Sequence, residues 1–489
     1  MSGFFMAQTG AANAAWLDRF TALVDKIDAY IWGWPLIVTL LATGIIYMCA
    51  LKFLPVMYLL HGFKHTFAKE QGAKGEVSNF ASLCTALATT IGTGNIVGVA
   101  TAIGTGGPGA LFWMEIAAFF GMATKYAEGF LAIRYRQHAE NGRVLGGPFQ
   151  YIEMGMGRKW KPLAVAFAIF GICAAVLGVG TFTQVNSITD AVMLVCDPNF
   201  DAANPATGIQ LFGSVYSPWA MAAGVVVTVA VAAVIMGGIK RIATVASVIV
   251  PFMAVFYVAI CIILIACHIE TLPSALAQIV KGAFNPAAVG GGALGTFFVA
   301  LQCGVSRGIF SNEAGLGSAP IASSVAQTDE PVHQGLVAMT GVFLDTTVVC
   351  TMTGLAIVVA GTWHPELSLQ GVNITLAAFS QGLPVGKFAA EAMLTISLAF
   401  FAFTTTIGWT FYAERCVEYL VGIGRKGPIL AMRLAFILAV ALGPYLTVKA
   451  VWGCAGIFCG LMAFPNLVAL LILSPQVVKT TREYFAERK

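Results

Sequence analysis

Long apolar runs recur along this chain, and they restrict the folds that it can adopt. Eleven runs, each roughly long enough to cross a bilayer as a helix, recur along the 489 residues. They lie at about 29–51, 80–104, 108–135, 162–195, 218–237, 244–267, 290–310, 334–360, 386–412, 428–447 and 450–473. A backbone in lipid must satisfy its polar groups internally, so these runs predict packed transmembrane helices. The composition agrees, because 58% of the residues are hydrophobic and only 10% are charged.

The Lys and Arg residues are unevenly distributed between the loops. If the loop after the first run is cytoplasmic, twenty-one of the 27 basic residues lie on the cytoplasmic side, five lie outside, and Lys125 lies within a run. Basic residues favour the cytoplasmic side. We therefore expect a multi-pass protein of a bacterial inner membrane, with its N-terminus outside and its C-terminus in the cytoplasm. The lipid bilayer is then a partner, and nucleic acid is not, because the basic residues follow one membrane face.

Ten runs remain when the first is set aside, and ten divides into two blocks of five. A block of five helices ends on the side opposite its start, so the second block must be inverted, as in many secondary transporters. The predicted fold is an all-α polytopic membrane protein, with one N-terminal helix and a 5+5 inverted-repeat core that contains broken helices. The predicted segments are 1–28 (extracytoplasmic), 29–79 (additional helix and loop), 80–267 (first repeat), 290–473 (second repeat) and 474–489 (cytoplasmic tail).

The strongest local signal is the stretch from Gly92 to Asn95, Gly-Thr-Gly-Asn, at the centre of the run 80–104. Two glycines and an amide at bilayer depth predict an interrupted helix, which is tolerated only where protein or a watery cavity meets it. The N–H groups freed at Gly92, Thr93 and Gly94 suit a carboxylate. Freed carbonyls at Ala88 and Ile91, with the Asn95 amide and a Thr hydroxyl, suit a small hard cation. The alternative is a glycine packing face between continuous helices.

Three stretches of the sequence resemble signatures of one family. They are GTGNIVGVATAI, GGPGALFWM and RGIFSNEAGLGSAP (307–320), and they span both halves of the chain. They look like motifs of the alanine or glycine:cation symporter family, which is similar to the leucine-transporter fold. In that fold the first core helix is broken at a Gly-x-Gly-Asn stretch. The resemblance implies a sodium-driven, or less often proton-driven, carrier for alanine, glycine or a similar amino acid.

Other candidates follow from helix order. Gln184, in the run 162–195, offers an amide for an ammonium or carboxylate, or else bonds a neighbouring backbone. Phe298 and Gln302, in the run 290–310, are pocket walls unless they face lipid or the core. Asp345 is an acid at membrane depth, and such groups are costly and functional by default. It is a cation ligand, part of a gating network, or a structural partner of a neighbouring polar group.

The run 386–412 contains three successive threonines, and the resemblance implies that hydroxyls on this helix help to bind a second sodium. Thr404 and Thr405 are the candidates, and Trp409 shares the face of Thr405. The alternative for the threonines is a bond to the preceding turn of their own helix. Glu115, Lys125 and Glu128 share one helix and are interpreted as structural or gating groups.

The candidate site is therefore two overlapping sets of residues, with sodium as the ion. The predicted substrate contacts are Thr90, Gly92, Thr93, Gly94, Asn95, Gln184, Phe298, Gln302, Thr405 and Trp409. The predicted cation contacts are Ala88, Ile91, Thr90, Asn95, Asp345, Thr404 and Thr405.

The predicted function is import of a small neutral amino acid with sodium. Glutamine or a D-amino acid as substrate, and coupling to protons, stay open. A membrane-embedded enzyme is disfavoured, because all six histidines lie in loops or at span ends and no HExxH or GxSxG motif occurs. A channel is disfavoured because one chain holds ten unlike core helices. We expect no catalytic residues and no cofactor, and the sequence leaves the oligomeric state open.

Overall fold

The structure is a computed structural model. It describes residues 11–68, 70, 72–140, 142–201, 204–211, 214–284, 293–445 and 448–488. The first half is built from helices, joined by two short hairpins. Its helices are α1 (Ala11–Ile31), α2 (Trp34–Ala50), α3 (Leu54–Met57), α4 (Leu59–Phe67), α5 (Asn79–Thr90), α6 (Val99–Gly106), α7 (Gly109–Arg134), α8 (Pro148–Gln150), α9 (Lys161–Leu177), α10 (Phe182–Cys196), α11 (Pro218–Ile235) and α12 (Gly238–Cys267).

The second half is also helical. Its helices are α13 (Leu272–Phe284), α14 (Ala293–Asn312), α15 (Ala319–Ser323), α16 (Pro331–Val342), α17 (Thr351–Ala360), α18 (Val372–Gly382), α19 (Lys387–Val421), α20 (Lys426–Leu442) and α21 (Val448–Ala486). π-Helical turns cover Gly94–Gly98, Tyr151–Gly155 and Phe343–Cys350, and 3-10 turns cover Arg158–Trp160, Pro205–Thr207, Pro365–Leu367 and Gly443–Tyr445. The strands pair antiparallel as β1 (Gln137–His138) with β2 (Val144–Leu145), and β3 (Ile209–Leu211) with β4 (Ser214–Tyr216).

The all-α polytopic architecture predicted from the sequence is confirmed. Within the described ranges, nine helical stretches are long and apolar enough to cross a membrane, or ten if the bent pair of Asn79–Thr90 and Gly94–Gly106 is one span. The predicted count of eleven is therefore not reached. The predicted run 290–310 begins at residues outside the described ranges, and its described part is α14.

Several boundaries differ from the predicted runs. The first span begins earlier than residue 29, because α1 leads into α2 through a short turn at Trp32 and Gly33. The run 162–195 is not one continuous helix, since α9 ends at Leu177 and α10 starts at Phe182. The predicted tail 474–489 continues α21 as far as Ala486. Hydropathy predicted the apolar part of each helix, but it did not predict the polar turns by which some helices extend past that part.

The centre of the bundle is α7, which packs against α14 and α16 and is buried along most of its length. Small residues allow these helices to approach closely. On α14, a Cβ added to Gly308 would lie only 2.9 Å from the Met114 side chain. On α7, a Cβ added to Gly129 would lie 2.6 Å from the Ala338 Cβ and 2.8 Å from the Gln334 carbonyl oxygen. Glycine is therefore required where the three helices cross.

We predict that Gly129→Ala destabilises the folded protein by about 1–3 kcal/mol, because backbone on α16 must shift to admit the new methyl group. The measurement is the melting temperature of the detergent-solubilised protein, followed by size-exclusion chromatography. Gly427→Ala is the matched control, since a Cβ there meets nothing within 4 Å. Equal melting temperatures for the two variants would contradict the proposed close contact.

Candidate functional site

The Gly-Thr-Gly-Asn stretch interrupts the helix, as predicted. α5 ends at Thr90, and the following helical segment is bent from it by 50°. The Gly92 N–H donates to Asn95 Oδ1 at 2.8 Å, and the Asn95 N–H donates to the Gly92 carbonyl at 3.2 Å. In a continuous helix those N–H groups would bond to the carbonyls of Ala88 and Ile91. The interruption therefore removes the helical donors of both carbonyls and lets the Asn95 side chain cap the turn.

The second function of Asn95 is a bond to the buried carboxylate of Asp345. Asn95 Nδ2 donates to Asp345 Oδ1 at 2.8 Å. Ser311 Oγ and Thr346 Oγ1 donate to Asp345 Oδ2 at 2.9 and 2.8 Å. Asp345 lies in the π-helical turn Phe343–Cys350, a local irregularity that is frequent at functional sites. One carboxylate thus joins the turn after α5, the end of α14 and the π-helical turn after α16.

Threonine hydroxyls of α19 face the freed backbone. Thr405 Oγ1 lies 3.5 Å from the Ile91 carbonyl oxygen and donates to the Phe401 carbonyl at 2.9 Å. Thr404 Oγ1 donates to the Phe401 carbonyl at 3.0 Å and lies 3.5 Å from Met253 Sδ on α12. Both therefore bond to the preceding turn, yet Thr405 also reaches α5. The result is a buried group of oxygens of the kind that a hard cation binds.

Gln184 stands at a second helix interruption. Gln184 Nε2 donates to the Val179 carbonyl at 3.0 Å, in the turn between α9 and α10. Its Oε1 accepts from the Thr93 N–H at 3.4 Å. The side chain therefore both bonds a neighbouring backbone and reaches the Gly-Thr-Gly-Asn turn. Trp409 packs against Gly180 of the same turn, where an added Cβ would lie 2.7 Å from the Trp409 Cβ.

Two buried polar atoms of these residues have no hydrogen-bond partner within the described ranges. They are Thr93 Oγ1 and Trp409 Nε1. A buried polar atom without a partner is costly, and in native structures such atoms are commonly bonded to water or a ligand. These two groups therefore keep hydrogen-bonding capacity that the described residues leave unused.

Three predicted residues lie away from this group. Phe298 is 46% exposed, and its ring packs against Trp34, with 5.3 Å between the ring centroids. Gln302 Nε2 faces the Trp32 carbonyl at 3.5 Å. Thr90 lines a small separate cavity with Lys125 and other residues, and its hydroxyl bonds to its own helix. Phe298 and Gln302, the predicted pocket walls on α14, therefore face the N-terminal helices and not the turn after α5.

Comparison with known proteins identifies the family of the chain. The model of the sodium:alanine symporter family matches residues 17–489. The chain belongs to the sodium:alanine symporter family. It is similar to the sodium/alanine symporter AgcS of Methanococcus maripaludis, with 45% identity covering 96% of this chain and 98% of the relative. It is also similar to the probable sodium/glutamine symporter GlnT of Bacillus subtilis, with 36% identity covering 96% and 91%.

Among solved structures, the chain resembles MhsT in complex with L-phenylalanine. The TM-score is 0.55, the identity is 14%, and the match covers 84% of this chain and 99% of that one. At this identity the likeness concerns the fold. Family membership makes the chain a multi-pass membrane transporter.

Ser311 is a site residue that the sequence reasoning missed. It lies within the family motif 307–320, which carried no assigned role, and its hydroxyl is bound to Asp345. The chain leaves the α-helix after Asn312 and resumes at Ala319, and residues 311–326 are buried. The predicted loop is therefore a buried, non-helical segment inside the protein, between α14 and the short helix α15.

Charged groups of α7 hold that unwound segment. Lys125 Nζ donates to the Asn312 carbonyl at 2.7 Å. Glu128 Oε1 accepts from the N–H groups of Gly315 and Gly317 at 3.1 and 3.2 Å. Glu313 has a left-handed backbone (φ 57°) and accepts a hydrogen bond from Ser318 Oγ. These groups satisfy the backbone that the interruption leaves free, and Lys125 and Glu128 keep the predicted interpretation as structural or gating groups.

We predict that Gly92→Ala abolishes transport, whereas Gly94→Ala retains most of it. A Cβ on Gly92 would overlap Thr405 Oγ1, but a Cβ on Gly94 would meet only Ser311 and Phe310, at 3.6 Å or more. The measurement is uptake into proteoliposomes, with each variant matched for the amount of inserted protein. A Gly92→Ala variant with normal uptake would show that the contact with α19 is dispensable.

We also predict that Asp345→Asn loses stability and transport together. The amide keeps the shape of the carboxylate, but its NH₂ group must face a donor from Asn95, Ser311 or Thr346, which costs about 1–3 kcal/mol. Thermal melting and uptake are measured in parallel. Glu366→Gln, which removes the charge of an exposed carboxylate, is the control, and equal behaviour of the two variants would argue against a central role of the Asp345 carboxylate.

Proposed function

We propose that the protein imports a small neutral amino acid of the alanine and glycine class by symport with sodium. The observation that carries the proposal is the interruption after α5. It leaves carbonyl oxygens at the end of one half-helix and N–H groups at the start of the next, beside a buried carboxylate. Such a turn offers opposite polarities to the carboxylate of an amino acid and to a cation.

The amino acid's carboxylate fits the start of the second half-helix. The N–H groups of Thr93 and Gly94 lie at the positive end of the helix dipole. The side-chain oxygen of Gln184 (Oε1), which faces the Thr93 N–H, is an acceptor for the ammonium group. The Trp409 Nε1–H and the Thr93 hydroxyl supply the remaining donors.

The contact between Gly92 and Thr405 favours a small substrate. Gly92 lies against the Thr405 hydroxyl so closely that no Cβ fits there, and the Gln184 Oε1 lies 3.6 Å from the same Cβ position. A long side chain would need these three elements to separate. Alanine or glycine is therefore favoured over glutamine, the substrate that the name of the related GlnT gives.

Sodium needs only oxygen ligands, and the site supplies them. One group comprises the carbonyls of Ala88, Ile91 and Phe401 with the hydroxyls of Thr404 and Thr405. A second group is the Asp345 carboxylate with the side chains of Asn95 and Ser311. Thr90 is not included, because it faces another cavity.

The charged residues at the far end of α19 support transport by alternating access. Arg415 pairs with Glu76 and Glu418, both at 2.7 Å, and Arg143 pairs with Glu418 at 2.9 Å. Glu76 precedes α5, so these ion pairs hold the start of α5 against α19. They would have to separate before a solute could leave on that side, which we expect to be cytoplasmic.

The proposal predicts sodium-driven alanine uptake into proteoliposomes. An inward sodium gradient should drive accumulation, and an equal choline gradient should not. Unlabelled glycine should compete, while arginine, glutamate and tryptophan should not. Equal accumulation with choline, or uptake driven only by an imposed pH gradient, would rule out sodium coupling, and strong competition by arginine or glutamate would rule out a small neutral substrate.

Thr405→Ala should raise the sodium concentration for half-maximal uptake roughly tenfold, the factor expected for one lost oxygen ligand worth about 1.4 kcal/mol. Thr410→Ala is the matched control on the same helix, because its hydroxyl bonds only to the Thr406 carbonyl. The sodium dependence of uptake is compared at one alanine concentration. A change of equal size in both variants would assign the effect to helix stability instead of ion binding.

A further inference from the structure

A second polar cavity lies beside the broken helices. Its volume is about 280 Å³, and it is enclosed by α1, α14 and α21. Its charged lining is Asp25, Asp28 and Arg307, and its aromatic lining is Trp32, Phe310 and Trp452. The first of its helices is outside the ten predicted core helices, so the cavity is not part of the site already described.

We propose that this cavity is a second binding site for a small zwitterionic α-amino acid, with the ammonium group on Asp28 and the carboxylate on Arg307. The identity of the ligand rests on the proposed function. The site itself rests on the arrangement of charges and rings that follows.

Two residues of opposite charge, Asp28 and Arg307, line the cavity. Asp28 Oδ1 is buried and has no hydrogen-bond partner within the described ranges. Arg307 lies over the Trp452 ring, with its guanidinium carbon 6.0 Å from the ring centroid. The two side chains interact electrostatically across the cavity but form no direct ion pair in the described part of the chain. A zwitterion placed between them would pair with both, and it would relieve the cost of an unbonded buried carboxylate.

The walls fit a small ligand. The rings of Trp32 and Phe310 meet edge to face, with 6.4 Å between their centroids, and those of Phe310 and Trp452 are 6.0 Å apart. Gly456 leaves room for the Asp28 carboxylate, because a Cβ there would overlap it. The volume is at the lower end of the roughly 300–1,000 Å³ typical of ligand pockets. An amino acid with a short side chain fits this space better than a long one.

The cavity adjoins the central site through Phe310. This residue lines the cavity and directly precedes Ser311, the donor to Asp345. On its other side, the Phe310 ring lies 3.9 Å from where a Cβ of Gly94 would be. A single aromatic side chain therefore separates the second site from the Gly-Thr-Gly-Asn turn, so the cavity is placed to hold a substrate before it enters.

The test is equilibrium binding of radiolabelled alanine to the purified full-length protein in detergent with sodium. We expect a biphasic curve for the wild type. Asp28→Asn and Arg307→Gln should each weaken the low-affinity phase roughly 10- to 100-fold, as expected for the loss of one charge-assisted contact, and should keep the high-affinity phase. Arg19→Gln and Glu270→Gln, which change exposed charges, should leave both phases unchanged. Arg307→Lys should restore part of the low-affinity phase.

Tryptophan fluorescence gives a readout that does not depend on charge changes. Trp452 lines the cavity, so alanine at concentrations that fill the low-affinity phase should change its emission. Trp452→Phe should remove that component, and Trp219→Phe should not, since Trp219 is 54% exposed on α11. A component that persists in Trp452→Phe would overturn the assignment of the second phase to this cavity.

The outcomes separate the two proposals. A single phase that Gly92→Ala removes, and that Asp28→Asn and Arg307→Gln leave alone, would overturn the second site and keep the proposed function. No sodium-dependent alanine binding at all would overturn the proposed function itself. Because a phosphoethanolamine lipid headgroup carries the same two charges, the titration is repeated in phosphatidylglycerol and phosphatidylethanolamine nanodiscs. Loss of the low-affinity phase only with phosphatidylethanolamine would assign the cavity to lipid and overturn the amino-acid proposal.

Discussion

The interaction on which the broken helices depend is the set of hydrogen bonds to the Asp345 carboxylate. A buried carboxylate without donors would be strongly destabilising, and an interrupted helix at bilayer depth would leave backbone groups without partners. Here the interrupted segments supply hydrogen-bond donors to the carboxylate, and the carboxylate holds those segments in place. Asn95 caps the turn after α5 and also donates to Asp345, and Ser311 donates from the last turn before the chain unwinds after α14. The hydrogen bonds to Asp345 therefore stabilise both interruptions.

The parts of this arrangement that the sequence predicted are the polar and helix-breaking residues that lie inside apolar runs. Glycine, threonine and asparagine at the centre of the run 80–104, and an acid inside the run 334–360, are costly in lipid unless they serve a site. The structure brings Asn95 and Asp345 together, and Gln184 and Thr405 reach the same turn. For residues of this kind, the cost of burial is itself the signal.

The parts that were missed depend on geometry that no single residue reveals. Phe298 and Gln302 lie on a helix whose rotation about its axis decides whether they face the site, and a pattern without strong periodicity does not fix that rotation. Ser311 belongs to a stretch of small polar residues that also describes an exposed loop. Its burial depends on Lys125 and Glu128, which bind the backbone from a helix nearly two hundred residues earlier. The interruption between α9 and α10 was likewise hidden within one apolar run.

Hydrogen bonds at the outer ends of α5 and α15 also constrain how the site can move. The segment before α5 pairs with the segment after α15, with Val77 beside Ala326 and the Gln327 N–H bonded to the Val77 carbonyl at 2.9 Å. Arg136 adds bonds to the carbonyls of Ser324 and Ala326 at 3.1 and 2.7 Å. α5 and α15 are therefore joined at their outer ends by backbone pairing, and Asp345 joins the turn after α5 to the end of α14. A displacement of α5 must therefore carry α15 with it or break the backbone pairing, and it must carry the end of α14 with it or break the bonds to Asp345.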